Sequence, residues 1–532
     1  MDIWKILERA DRSFGGNVAI IDRDGRFTYR DLMMRSSALA LALRDLGVRR
    51  GDRVAVVEVN SHEYAESYFA AAAMGVILTP VNHRLSAREI GYILRDSGAR
   101  VILASTRFSE KIVSAVSMDG VEIKGEVWIG GDGVAEGRAR GLEYESALEK
   151  HMGKRLKPTD VDESEVAHLY YTSGTTGEPK GVMLTHRNVC VHARCTIEEL
   201  DLGESDVWAH VAPMFHLADA WATFAITWVG GRHVMLERFE AGEALDAFER
   251  YRVTVTNLIP TMLNLMTRHS LATRRDLSGL RVILSGGAPI AREVVRRTMD
   301  LFGCDYIQTY GMTETSPFLT LGILHEHLKK LSFEERLDFK AKTGRPFLPI
   351  ELKVVDEKGT PVAQDGKQVG EILVKGETVT PGYWNRPEET EQAFIDGWLR
   401  TGDLAVMDRE GYVDIVDRKK DMIISGGENV YSTEVENVLY EHPDVLEAAV
   451  FGVPDPKWGE AVAAAVVRAE GSDVSAQEVI EFCRERLAGF KTPKKVAFMS
   501  ELPRTGSGKI SKRVLREPYL SDTRRMKTPS RP

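Results

Sequence analysis

The run YTSGTTGEPKG at residues 171–181 directly follows a strand-like stretch, AHLYY. Gly174, Gly177 and Gly181 let a backbone approach a ligand closely. Thr172, Ser173, Thr175, Thr176 and Lys180 offer hydroxyl and ammonium donors, the groups that suit phosphate oxygens. The spacing is not that of a Walker A loop, which needs Gly before its lysine and Ser or Thr after it; here those positions are Pro179 and Gly181. A flexible linker would not combine a lysine, these hydroxyls and a preceding apolar strand. Further short motifs follow: SGGAP at 285–289, YGMTET at 310–315, SGGEN at 425–429 and GSGK at 506–509. Taken singly, SGGAP and SGGEN also fit bare turns. Neither GxSxG nor HExxH occurs, so no hydrolytic constellation is present.

Alternating elements must position these motifs. Between about residues 30 and 310, helix-period segments (38–46, 66–74) alternate with strand-like ones (53–59, 101–104, 168–171, 253–259, 281–284, 305–308). That order predicts an α/β fold with parallel βαβ sheets, whose ligands sit beyond the carboxyl ends of the strands. From about residue 340 to 417, short strands bounded by Gly, Asp and Pro predict an antiparallel sheet or small β-barrel. From about 430 the pattern is α+β. The charged run DRKKD near 417–421 is the expected linker, giving domains 1–417 and 418–532. The tail after Ser521 is expected to be unstructured.

With 532 residues, 43% of them apolar and 28% charged, the chain is neither disordered nor fibrous, and it exceeds a single compact core. A net charge of −9 argues against a chain that coats nucleic acid. Cys190, Cys195, Cys304 and Cys483 form no CxxC pair and read as buried small hydrophobes in a reducing, cytoplasmic setting. The amino terminus lacks the apolar core of a signal peptide, and no stretch is long enough to span a bilayer.

Together, the loop at 171–181, PMFHL at 213–217, YGMTET at 310–315, TGD at 401–403, Asp417–Arg418 and GSGK at 506–509 resemble, in order, the signatures of the adenylate-forming superfamily. Those enzymes include acyl- and aryl-CoA synthetases, peptide-synthetase adenylation domains and firefly luciferase. The likeness runs over nearly the whole length and is nearest to bacterial fatty-acid–CoA ligases. It implies ATP, Mg2+ and coenzyme A as co-substrates and cofactor, a carboxylic acid as partner, and homodimers as in relatives. It also implies a small, mobile carboxyl-terminal domain.

The resemblance assigns roles residue by residue. Glu314 is the expected Mg2+ ligand, with Thr172, because Mg2+ prefers oxygen donors; Thr313 contacts phosphate. Ser173, Gly174, Thr175, Thr176 and Lys180 hold phosphates. Gly287, Ala288 and Pro289 lie against adenine, Gln308 faces it and Tyr310 stacks on it, with Gly311 and Met312 in the same strip. Asp403 and Arg418 hold the ribose. Lys509 bridges the α-phosphate and the attacking carboxylate. A hinge at Lys420 exchanges Lys509 for Gly426 and Gly427, which line the pantetheine path. Phe490 stacks on the CoA adenine beside Lys491, although a solvated loop fits the lysines too. His216 gates the acyl pocket, with a core histidine as the competing reading. The expected reaction is ATP-dependent acid–CoA ligation on a medium- or long-chain fatty acid. An aryl or alicyclic acid, or loading of a carrier protein, is the alternative.

Overall fold

The parallel strands that the alternation predicts are present. In the computed structural model, which describes residues 1–130, 141–172, 178–287, 290, 292–504 and 510–526 (520–526 as backbone), the chain forms two compact units. The first holds Met1–Ala288, Arg292–Glu351 and Val374–Leu399; the second holds Pro289–Ala291, Leu352–Leu373 and Arg400–Pro532.

The first unit contains two sheets. In the seven-stranded sheet, Arg53–Val57 lies between Ile77–Pro80 and Ala99–Ser105, all parallel, because the βαβ connections return the chain in the same direction. Val166–Thr172 continues the sheet, and Lys180–Thr185 closes its edge antiparallel to it. In the nine-stranded sheet, Arg232–Met235, Val207–His210, Val255–Asn257, Val282–Gly286 and Asp305–Gly311 run parallel side by side. Helix His62–Met74 is buried on every side: alanines and aromatics make up most of its surface, and its polar first turns are paired, His62 with Asp22 and Glu66 with Arg35. It stops at Gly75, whose φ of +63° is the left-handed cap that glycine takes most cheaply. All four cysteines are free and buried.

In the β-rich stretch, Trp398–Met407 pairs antiparallel with Val413–Arg418 and puts Asp403 opposite Arg418. By contacts, residues 352–373 and 400–417 group with the carboxyl-terminal segment, whereas the sequence pattern placed a boundary at 417/418. One cause is visible. Buried Asp417 accepts the Ser432 N–H at 2.6 Å and the Ser432 hydroxyl at 3.1 Å, which ties the end of that hairpin to the start of helix Ser432–Tyr440.

The α+β part of the second unit is a sheet with helices on both faces. Strand Gly459–Arg468 alternates: Val462, Ala464 and Val466 pack with Val435, Leu439 and Val479, while Ala461, Ala463 and Ala465 pack with Phe451 and Leu515. Helix Lys512–Met526 runs past Ser521, where structure was expected to end. Leu515 and Tyr519 hold it to the core, and burying such a side chain is worth about 1.5–3 kcal/mol.

Candidate active site

Strands Val166–Thr172 and Lys180–Thr185 flank the glycine-rich loop as an antiparallel pair, with Thr172 opposite Lys180. A P-loop runs into a helix; this loop returns directly into a strand. Its far end is tethered by Tyr92, whose hydroxyl donates to Pro179 O at 3.0 Å. Its near end is fixed by Tyr171, which donates to Asp96 at 2.7 Å. Arg386 holds Asp96 from the other side at 2.8 Å. Ser173, Gly174, Thr175 and Thr176 lie outside the described residues.

Segment 374–399 of the same unit backs this hairpin. Trp384 N–H donates to Gly181 O at 2.8 Å and Met183 N–H to Gly382 O at 3.1 Å. A side chain at Gly181 would press on Tyr171 and Trp384 at 3.1–3.3 Å. The carboxylate expected to bind metal is here too. Glu314 is 7% exposed, lies in the single turn Thr313–Thr315, and its backbone carbonyl accepts Thr380 N–H at 2.8 Å. Tyr383 donates its hydroxyl to Glu314 Oε1 at 2.9 Å, and the Lys180 ammonium lies 5.2 Å from the Tyr383 ring centre. Burial, with the Glu314 carboxylate beside it, pushes the Tyr383 phenol well up, so it stays a donor. Thr172, Lys180, Glu314 and Tyr383 are therefore gathered in one place by the chain's tertiary structure. Tyr383 was missing from the sequence reading; the turn signal TPGYW around it was the only trace.

Gly287 follows strand Val282–Gly286 with φ +85°, in the left-handed region; Ala288 and Pro289 lie outside the described residues. A side chain at Gly311 would sit 1.8 Å from Pro317 O, so only glycine fits where the chain folds back on itself. Gln308 is buried and accepts a hydrogen bond from Tyr306 at its side-chain oxygen. Tyr310, Met312 and Thr313 are half-buried at the carboxyl end of Asp305–Gly311, where an α/β sheet presents its ligand groups.

His216 caps helix Leu217–Val229, its Nδ1 accepting Ala218 N–H at 3.2 Å, so Nε2 carries the proton when the ring is neutral. Asn60 braces the loop before it: its amide donates to His210 O, Ala212 O and Leu236 O, and its oxygen accepts Met214 N–H at 2.7 Å. Tyr68 donates to Met214 O at 3.0 Å. Both braces come from residues about 150 positions away, beyond the reach of any local motif. The small residues of helix Leu217–Val229 serve packing at least in part, since the helix lies against Ile3–Phe14 and His186–Glu199. On the sheet side, buried Asp219 bonds His210, whose other nitrogen meets His233 at 2.9 Å.

In the second unit, Arg418 Nε lies 3.1 Å from Asp403 Oδ1, with Asp403 buried and Arg418 half exposed. Gly426 and Gly427 turn the hairpin Ile423–Val430 with φ of +64° and +88°. A side chain at Gly426 would meet the Trp458 ring at 2.8 Å, and Gly426 N–H donates to Trp458 O at 2.8 Å. Trp458 is 39% exposed beneath the Lys457 ammonium, an aromatic surface beside this turn that no sequence motif marks. Lys491 is bidentate to Glu434 at 2.7–2.8 Å, and Phe490 packs on the core of the unit, so both are less open to a ligand than a bare loop would be. Lys509 lies outside the described residues.

Comparison with known proteins fits this geometry. Residues 7–384 match the AMP-binding enzyme family and residues 434–509 its carboxyl-terminal domain. The chain is 38% identical to a long-chain-fatty-acid–CoA ligase of Thermus thermophilus, over 98% of this chain and 96% of that one. It is also 38% identical to a feruloyl-CoA synthase of an Amycolatopsis species, over 92% and 94%. Among solved structures, an anthranilate CoA ligase in complex with anthranoyl-AMP superposes with a TM-score of 0.89 at 27% identity, covering 98% of each chain. A glycine-rich hairpin backed by a buried carboxylate agrees with the match that runs along nearly the whole chain: the protein belongs to the AMP-binding enzymes, as an AMP-forming acyl-CoA synthetase that uses ATP, Mg2+ and CoA.

Proposed function

We propose that this acid–CoA ligase takes a medium- or long-chain fatty acid. The observation that carries the ligase chemistry is the meeting of Thr172, Lys180, Tyr383 and Glu314. The fatty-acyl choice is supported by the Thermus relative, alike over nearly all of both chains. An aryl acid is the second reading, because the feruloyl-CoA synthase is equally identical.

In the first half-reaction the acid's carboxylate oxygen attacks the α-phosphorus of ATP and pyrophosphate leaves. Lys180 and the loop donors would hold the phosphates against the anion that approaches them. Glu314 and the Thr172 hydroxyl form an oxygen-only donor set, which fits Mg2+ with phosphate oxygens completing its shell. Bound there, Mg2+ would neutralise phosphate charge. Tyr383 keeps the Glu314 carboxylate aimed. Asp403 accepts ribose hydroxyls beside Arg418, and Lys509 offsets charge between carboxylate and α-phosphate. His216 stands at the mouth of the acyl pocket. In the second half-reaction the CoA thiol, losing its proton, attacks the acyl carbon and AMP leaves. We assign the domain boundary to 417/418 and the hinge to Lys420, which brings Gly426 and Gly427 into use for the pantetheine arm, with Phe490 and Lys491 toward the CoA nucleotide.

The test is AMP formation from ATP, with and without CoA, across acids from acetate to palmitate plus benzoate, ferulate and cyclohexanecarboxylate. A CoA-dependent maximum among straight-chain acids is the expected result. A maximum on a ring acid overturns the substrate and keeps the mechanism. Turnover indifferent to CoA points to a carrier-protein thiol or another acceptor.

A further inference from the structure

The nine-stranded sheet has two ends, and only one carries the catalytic motifs. PMFH, SGG and YGMTE all follow the carboxyl ends of its strands. At the opposite end a groove of about 600 Å3 opens where Val207–His210, Arg232–Met235 and Val255–Asn257 begin. That volume falls within the range of small-molecule sites. Strands of three or four residues separate the two ends by about 10–13 Å.

Arginines dominate the groove: Arg26, Arg232, Arg250 and Arg252. Arg26 comes from the edge hairpin, paired with Ile21; Arg232 opens its strand beside Val207; Arg250 and Arg252 end helix Ala241–Tyr251. Two of the three carboxylates nearby are paired with arginines. Asp206 is held by Arg281 at 2.8–2.9 Å and by Thr254, Glu204 accepts from Asn17, and Arg252 pairs with Asp276 at 2.8 Å. Among the described residues, Arg26, Arg232 and Arg250 have no carboxylate partner, and the Arg232 Nε is buried without an acceptor. In a chain of net charge −9, three guanidiniums without a carboxylate partner on one polar groove, against the single charge of Glu204, favour an anion there. Guanidiniums are the groups that bind phosphate bidentately, and the Ser205 and Ser278 hydroxyls add donors.

We infer that this groove is a second anion site, separate from the catalytic loops, that takes a ligand bearing two or more linked phosphate groups. Three guanidiniums around a groove of this size exceed what one orthophosphate can use.

Hydrogen–deuterium exchange of the whole protein with inorganic tripolyphosphate tests it. The expected result is slowed exchange over 203–207, 250–254 and 276–281, apart from any at 178–185 and 310–316. Arg26 and Arg250 are exposed, so the double variant R26A/R250A should fold normally. It should raise the tripolyphosphate concentration needed for protection of the groove at least ~10-fold, while E314Q leaves that protection unchanged. R26A alone should shift it in the same direction. No protection at the groove, protection that survives R26A/R250A, or equal protection by orthophosphate would each overturn the assignment.

Discussion

The first unit and the second hold their candidate residues in opposite ways. Glu314 is buried, hydrogen-bonded by Tyr383 and fixed through its own backbone, and Thr172 and Lys180 are set by an antiparallel register. In the second unit Arg418 is half exposed, Gly426 and Gly427 form a hairpin turn, and Lys491 is ion-paired to Glu434. The difference teaches where preorganisation lies. Charge stabilisation works best from groups already oriented, and the first unit holds Glu314, Thr172 and Lys180 in that way.

The sharpest way to break this contrast is Glu314→Gln. It keeps shape but removes the charge on the buried carboxylate, and acid-dependent AMP formation should fall ~100–1000-fold with an unchanged melting temperature. Equal loss from simple unfolding, seen by calorimetry, would dissolve the contrast. Gly426→Val attacks the other side. Its side chain would drive into Trp458 from a left-handed backbone. CoA-dependent thioester formation should drop ~10–100-fold, while pyrophosphate release in single-turnover adenylation holds. Parallel loss of both steps would place Gly426 in the general scaffold.

Tyr383→Phe is milder, because it deletes one hydrogen bond to a carboxylate. A ~10-fold fall in kcat with little change in KM for ATP is expected. A change confined to KM would make Tyr383 a binding group. The smallest effect concerns stability. His62 is buried, which alone lowers its pKa, yet its bond to Asp22 at 2.6 Å and the nearby Glu66 and Glu63 hold it up to about 9. A folded-state pKa above the unfolded value means the stabilisation is full below about pH 6.5 and is lost as pH rises through about 9, at most ~3 kcal/mol. The melting temperature should decline over that window, and His62→Asn should flatten the decline. An unaltered decline in the variant would assign it to other groups.

Local pattern carried much of the fold. The core of strand Val166–Thr172, read at 168–171, was legible because an apolar run met a glycine-rich turn, and most of helix His62–Met74, read at 66–74, because alanines and aromatics dominate that stretch. The helix beyond Ser521 was illegible, since its basic, polar composition masks two anchors, Leu515 and Tyr519, that matter only once a sheet lies beneath them. Within the site, Glu314 and Thr172 could be read from motifs. Tyr383, Asn60 and Trp458 could not, because each acts on a partner tens to hundreds of residues away, or on a turn whose neighbour is unknown before folding.

Sequence alone determined the chemistry available: hydroxyls, a lysine and glycines in one loop, a carboxylate after a strand, and an order of motifs belonging to one family. Residue type and spacing along a strand or turn are local properties, and they survive without the fold. Tertiary structure alone decided which phenol aims the Glu314 carboxylate, which amide braces the loop before His216, and that three arginines from a hairpin, a strand start and a helix end face one groove. Those are distances between remote segments, and only the packing of sheets and helices sets them.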